Sequence, residues 1–144
     1  MKKTKLVFIT IALLSAAVLL AACGSSTTDG GAAKSFASGP VGNNLTATLA
    51  STDGSLRKGK QEFTLTFTDS SGKPVDVGSV ALNYRMPSMG SMAEMNNGAT
   101  FKKTDTPGVY RGSVDIEMVG EWQAQITYEG PAGKGAFSLP VRAK

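Results

Sequence analysis

The chain has 144 residues, with fifteen Lys and Arg against eleven Asp and Glu, a single cysteine and no histidine. Those counts exclude histidine-centred catalytic pairings and cysteine/histidine metal cages, because neither donor set can be assembled. The formal charge of +4 is also less than it looks: Lys2, Lys3 and Lys5 lie in a leader, leaving twelve basic residues against eleven acidic ones, with no clustered basic footprint for nucleic acid.

Residues 1–22 read as a secretory signal. The three lysines precede an apolar run over residues 6–19, broken only by Thr10 and Ser15, and the small residues Ala21 and Ala22 lead to Cys23. The run is too short, and too directly followed by a polar Gly/Ser stretch, to favour a permanent membrane span. The ending LAAC resembles the bacterial lipobox, which implies that Cys23 is lipid-modified, becomes the first residue of the mature chain and anchors it to a membrane. On that reading no free thiol remains, and the protein is an extracytoplasmic membrane-anchored lipoprotein. Gly24 stands where an aspartate often retains such proteins at an inner membrane, which favours the outer membrane of a two-membrane cell, or the cell surface where there is one membrane.

Residues 23–43 read as the lipidated cysteine and a flexible linker. The stretch GSSTTDGGAAKSFASGP has one aromatic side chain and too little apolar surface to offset its ordering entropy. Seventeen residues of this type span about 20–25 Å.

From residue 44 to 144 the dominant period is two, the mark of half-buried strands. Leu45, Ala47 and Leu49 alternate with threonines, as do Phe63, Leu65 and Phe67; Val80, Leu82, Tyr84 and Met86 share the next face. A short strand is expected over residues 99–104. Tyr110, Gly112, Val114 and Ile116 line another, Trp122, Ala124, Ile126 and Tyr128 a sixth, and Phe137, Leu139 and Val141 a seventh. Turn sequences DSSGKP, DTPG and EGPAG separate them. No helical stripe is present. The fold class is therefore all-β: an immunoglobulin-like antiparallel β-sandwich of about seven strands, with an open small barrel as the alternative.

The body from Phe63 to Val141 resembles the YtkA-like family, which overlaps the FixH-type domains of bacterial cell-envelope proteins. The likeness is carried by DSSGKPVDVGSVAL, by YRMPSMGSM and by TPGVYRGSVDIEMVGEWQAQITYEG. It implies an envelope setting beside metal-efflux or copper-handling components. Many relatives place histidine near the methionine segment, and this chain has none. CopC-type copper carriers are similar in being small sandwiches with a methionine-rich loop, but their N-terminal histidine is missing here.

The segment MPSMGSMAEM spaces Met86, Met89, Met92 and Met95 three residues apart. Thioethers are soft, neutral donors that suit Cu(I), and by extension Ag(I), far better than Zn, Mg or Fe(II). In a polyproline II coil successive methionines would stand about 9 Å apart; in a 3₁₀-like coil about 6 Å, close enough to converge. Gly90 would bend such a loop and Asn96, Asn97 and Gly98 would return it. Met86 continues the inward register of Leu82 and Tyr84 and so belongs mainly to the strand; Met89, Met92 and Met95 form the candidate metal loop, with Met86 as a fourth candidate ligand at its root. Met118 and Trp122 read as core, with Trp122 as a cation–π neighbour for Cu(I) the functional alternative. The carboxylates are scattered, and Asp115 and Glu117 are one weak i,i+2 pair, so no enzyme is expected. Two functions stand: a Cu(I)-binding or Cu(I)-delivery domain, or a non-metal module docking through an apolar methionine patch on an envelope efflux or oxidase-assembly partner.

Overall fold

The computed structural model describes residues 32–144; the signal segment and Cys23 lie outside them. Nine strands follow in order: β1 Lys34–Pro40, β2 Thr46–Ser51, β3 Gly59–Thr68, β4 Ser79–Met86, β5 Met95–Gly98, β6 Thr100–Lys103, β7 Val109–Ile116, β8 Gly120–Gly130 and β9 Gly133–Ala143. They form two antiparallel sheets, one ordered β1-β2-β3-β7-β6 and the other β5-β4-β8-β9. The sheets stay separate, so the molecule is a β-sandwich and not the barrel alternative.

The alternation that predicted the strands also decides which side chains meet between the sheets. On β3, Phe63, Leu65 and Phe67 point inward; on β7, Tyr110, Val114 and Ile116; on β8, Trp122, Ala124, Ile126 and Tyr128. Each large side chain removed from water in this way stabilises the fold by about 1.5–3 kcal/mol. The Trp122 indole N–H donates to the Met118 carbonyl at 3.0 Å, so this large core residue leaves no polar group stranded. Phe67 meets Tyr110 and Tyr128 edge to face, at centroid separations of 6.0 and 5.4 Å.

Two strands exceed the expected set. Lys34–Pro40, placed by composition in the linker, is β1, paired with β2 from Lys34 opposite Ser51 to Pro40 opposite Thr46. Its small polar residues hide it from a periodicity search. What holds it is backbone pairing, the packing of Phe36 against the core, and a strand end at Pro40, where an edge position tolerates the missing N–H. The second is β5, which occupies the residues expected to turn. Asn96, Asn97 and Gly98 pair with Arg85, Tyr84 and Asn83 of β4, and after Ala99 the chain crosses to the other sheet as β6.

Gly112 shows how closely the sheet is fitted. It lies between Phe63 on β3 and Phe101 on β6, whose rings meet edge to face above it at 5.7 Å. A β-carbon there would fall 2.5 Å from Phe63 Cζ and 2.9 Å from Phe101 Cε1, so the glycine at position 112 is a packing requirement. Gly112→Ala is expected to cost about 1–3 kcal/mol through overpacking, read as a lower urea midpoint with unchanged slope. A midpoint equal to that of the parent would contradict this packing.

Candidate functional site

Strand β4 runs on into a hairpin that returns as β5, and one register governs it from root to tip. Met86 is opposite Met95, and three residues further Met89 is opposite Met92. The Met89 N–H donates to the Met92 carbonyl at 3.1 Å, and the Met92 N–H to the Met89 carbonyl at 2.9 Å. Gly90 and Ser91 are the two-residue tip, with Gly90 taking the positive φ of 56° that its first position demands. The segment is therefore a β-hairpin, and neither the polyproline II coil nor the 3₁₀-like coil weighed from the spacing.

A strand alternates faces every residue, so positions three apart fall on opposite faces. Met86 is 2% exposed and Met95 packs half-buried against the core, whereas Met89 is 55% and Met92 38% exposed. The structure thus brings Met89 and Met92 together and pairs Met95 with Met86. Narrow pairs of this kind hold their Cα atoms about 5.5 Å apart, so two flexible thioether arms can reach one ion between them. Residues 87–88 and 93–94 carry no ladder, in keeping with Pro87, which has no N–H to give.

The outer face of the hairpin root is braced by polar side chains. Arg85 and Glu94 form an ion pair, Asn96 Nδ2 donates to Glu94 Oε1 at 3.0 Å, and Asn83 Nδ2 donates to Asn96 Oδ1 at 2.8 Å. The Arg85 hydrogen bond, then that of Asn96, holds the Glu94 carboxyl below its ordinary value. Glu94 is therefore a carboxylate tied to the scaffold.

The inner face is apolar and closed. Beyond Arg85 opposite Gln123, the register sets Met86 beside Trp122, and a β-carbon on Gly120 would lie 3.0 Å from Met86 Cε. Trp122 is 1% exposed, which makes it the core anchor. Tyr84 and Asn97 are cross-strand partners, yet the Tyr84 Oη and Asn97 Oδ1 atoms are buried without a hydrogen-bond partner. Burial pushes the Tyr84 phenol up, so it stays protonated. Among the described residues no group of three His, Cys, Asp or Glu side chains is placed to hold a metal. An open groove of about 530 Å³, mostly on the other sheet and lined by Lys60, Glu62, Thr100, Ser113 and Asp115 with Gly98 of β5, has mixed charge and none of the hairpin methionines in its lining.

Sequence reasoning placed Met86 in the strand but grouped Met89, Met92 and Met95 as one loop, and so missed that Met95 is a strand residue and that Tyr84 and Asn97 share its face. The alternation of Met95 and Asn97 against Asn96 and Gly98 was the available signal, weak because only one of the four is apolar.

A YtkA-like family model matches residues 41–127, a span from just before β2 through most of β8 that includes the whole hairpin. No curated protein and no solved structure matches the chain.

The geometry separates the methionines by role. Met86→Ala is expected to lose about 2–5 kcal/mol of stability, as for a buried side chain whose site cannot collapse, while Met89→Ala stays within about 0.5 kcal/mol; chemical denaturation of both variants checks this. The pH profile follows from the carboxylates. Asp53, Asp69 and Asp76 are lowered along with Glu94, chiefly by hydrogen bonds from Ser51, Ser71 and the Gly78 N–H respectively. Groups lowered in the folded state bind protons more weakly there than in the unfolded chain. Their stabilisation is present above the ordinary carboxylate range, about pH 4, and is lost as pH falls through their lowered values. With no histidine to titrate, the melting temperature should be flat from about pH 5 to 8 and fall below about pH 4.

Proposed function

The chain belongs to the YtkA-like family, and on that premise we propose that it is a lipid-anchored cell-envelope protein that binds and passes on Cu(I), or the chemically similar Ag(I), through Met89 and Met92. One observation carries the reading: reciprocal backbone hydrogen bonds fix two exposed thioethers opposite each other at a hairpin tip. Apolar side chains are ordinarily spent in the core of so small a domain. Here two of them are held out in water by a turn that Gly90 makes possible.

Two thioethers form a neutral, soft donor pair with no proton to lose, so the pair stays competent at acidic pH and discriminates against hard divalent ions. Two donors also leave a coordination position open to a ligand from another molecule, which suits relay rather than storage. Met95 and Met86, on the inner face, hold the hairpin root to the core. The Arg85–Glu94–Asn96 cluster braces the same root from outside. In this reading Cys23 carries the lipid, the cargo is delivered to or taken from an envelope efflux or oxidase-assembly protein, and no reaction is catalysed.

A second reading, docking on such a partner without metal, is favoured by the apolar character of the same tip. The two readings separate on substitution by isoleucine, which keeps the apolar surface and removes the sulfur. Titrating Cu(I) against a competing chelator should give one equivalent bound by the parent and a loss of at least tenfold in affinity, about 1.4 kcal/mol, in the variant carrying Met89→Ile and Met92→Ile. Equal affinity in both proteins, or none in either, overturns the copper reading. Retention of an envelope partner by the isoleucine variant, with loss on Met89→Glu, would support the docking reading in its place.

A further inference from the structure

Among the described residues the exposed large hydrophobics are Met89, Met92 and Val119, and all three lie at one end of the sandwich. Met89 and Met92 form the tip beyond β4 and β5. Val119 sits in the three-residue link from β7 to β8, at the end where the hairpin leaves the sheet, because the β4–β8 register ends with Arg85 opposite Gln123 and Gly120 approaches Met86. Single exposed apolar residues are ordinary, but their confinement to one end is a patch.

The same end is where the chain enters. Lys34 at the start of β1 pairs with Ser51 at the end of β2. Ser51 leads into the loop that bridges Leu56 to Ala143 at the end of β9, and Ala143 pairs with Gly120 at the start of β8. Between Cys23 and Lys34 stand ten residues, 24–33. A chain of that length reaches at most about 35 Å, and with this composition about 17 Å on average. Strand β8, with 11 residues, is itself about 35 Å long. An anchor at Cys23 therefore holds the end bearing Met89, Met92 and Val119 next to the membrane, with the opposite end a full strand length further out.

We propose that this end of the sandwich rests on the bilayer surface that holds the lipid anchor, with Met89, Met92 and Val119 seated among the headgroups. This rests on the lipid-anchor part of the function proposed above and is independent of copper. The contact is intramolecular once the anchor is in place, so a small apolar lip suffices where a free domain would dissociate. Charge at this end is close to balanced, which leaves apolar contact to drive it: Arg57, Arg85 and Arg142 are each paired with a carboxylate, on Asp53, Glu94 and Glu121, and Lys34, Lys58, Lys60 and Lys144 share the end with Glu62, Asp115 and Glu117.

The lipidated chain supplies its own control, because lipidation of Cys23 leaves an introduced cysteine as the sole free thiol. Three variants, Met92→Cys and Val119→Cys at the proposed contact and Ser70→Cys in the turn at the far end, are labelled with bimane. Each is placed in vesicles of phosphatidylethanolamine and phosphatidylglycerol carrying a doxyl-labelled lipid quencher. Quenching severalfold stronger at positions 92 and 119 than at position 70, and unchanged by added salt, is the expected result. Equal quenching at both ends overturns the docking and leaves the anchor intact. Strong quenching in native membranes with none in pure lipid also overturns it and assigns the lip to a membrane protein. Labelling of the chain without an introduced cysteine would reveal a free Cys23, which removes the anchor and the docking together.

Discussion

One hydrogen-bond register, running from Asn83 opposite Gly98 to Met89 opposite Met92, determines what each hairpin methionine can do. The strand period is two and the methionine spacing is three, so neighbouring methionines are forced to opposite faces. A one-residue slip would send Met86 and Tyr84 into water and Arg85 into the core, and the cost of burying that charge locks the register. The ion pair of Arg85 with Glu94 works in the same direction from the outer face.

From that constraint follows the division between scaffold and site. The inward pair, Met86 and Met95, joins Trp122 and Tyr84 in the closed end of the core. The outward pair has no core to join. Its exposure is unusual for methionine and is maintained by backbone hydrogen bonds alone, which leaves both sulfurs free for a soft ion or an apolar surface. The two uses compete for the same atoms, so occupation by one weakens the other by the same factor in each direction.

How much of this the sequence carried differs from strand to strand. Phe63, Leu65 and Phe67, or Trp122, Ala124, Ile126 and Tyr128, announce themselves because burial on one face alone dictates their alternation. β1 and β5 were not legible, since KSFASGP and MNNG draw their stability from pairing with a neighbour already in place and not from an apolar face of their own. Misreading β5 as a turn had a direct consequence for the site. A three-residue period fits a 3₁₀ or polyproline coil as well as a hairpin, and only the partner strand tells them apart. Met86 was readable because it extends Val80, Leu82 and Tyr84; Met95 was not, because Asn96, Asn97 and Gly98 offered no pattern to extend.

The sorting of the methionines is open to direct observation through their methyl groups. In a sample labelled with carbon-13 at the methionine methyls, Ag(I), a redox-inert probe of the same softness as Cu(I), should move the Met89 and Met92 signals together and saturate at one equivalent. The Met86 and Met118 signals should stay in place. Equal movement of Met86 with the exposed pair, or movement of Met89 and Met92 at different stoichiometries, would contradict the register as the feature that builds the site.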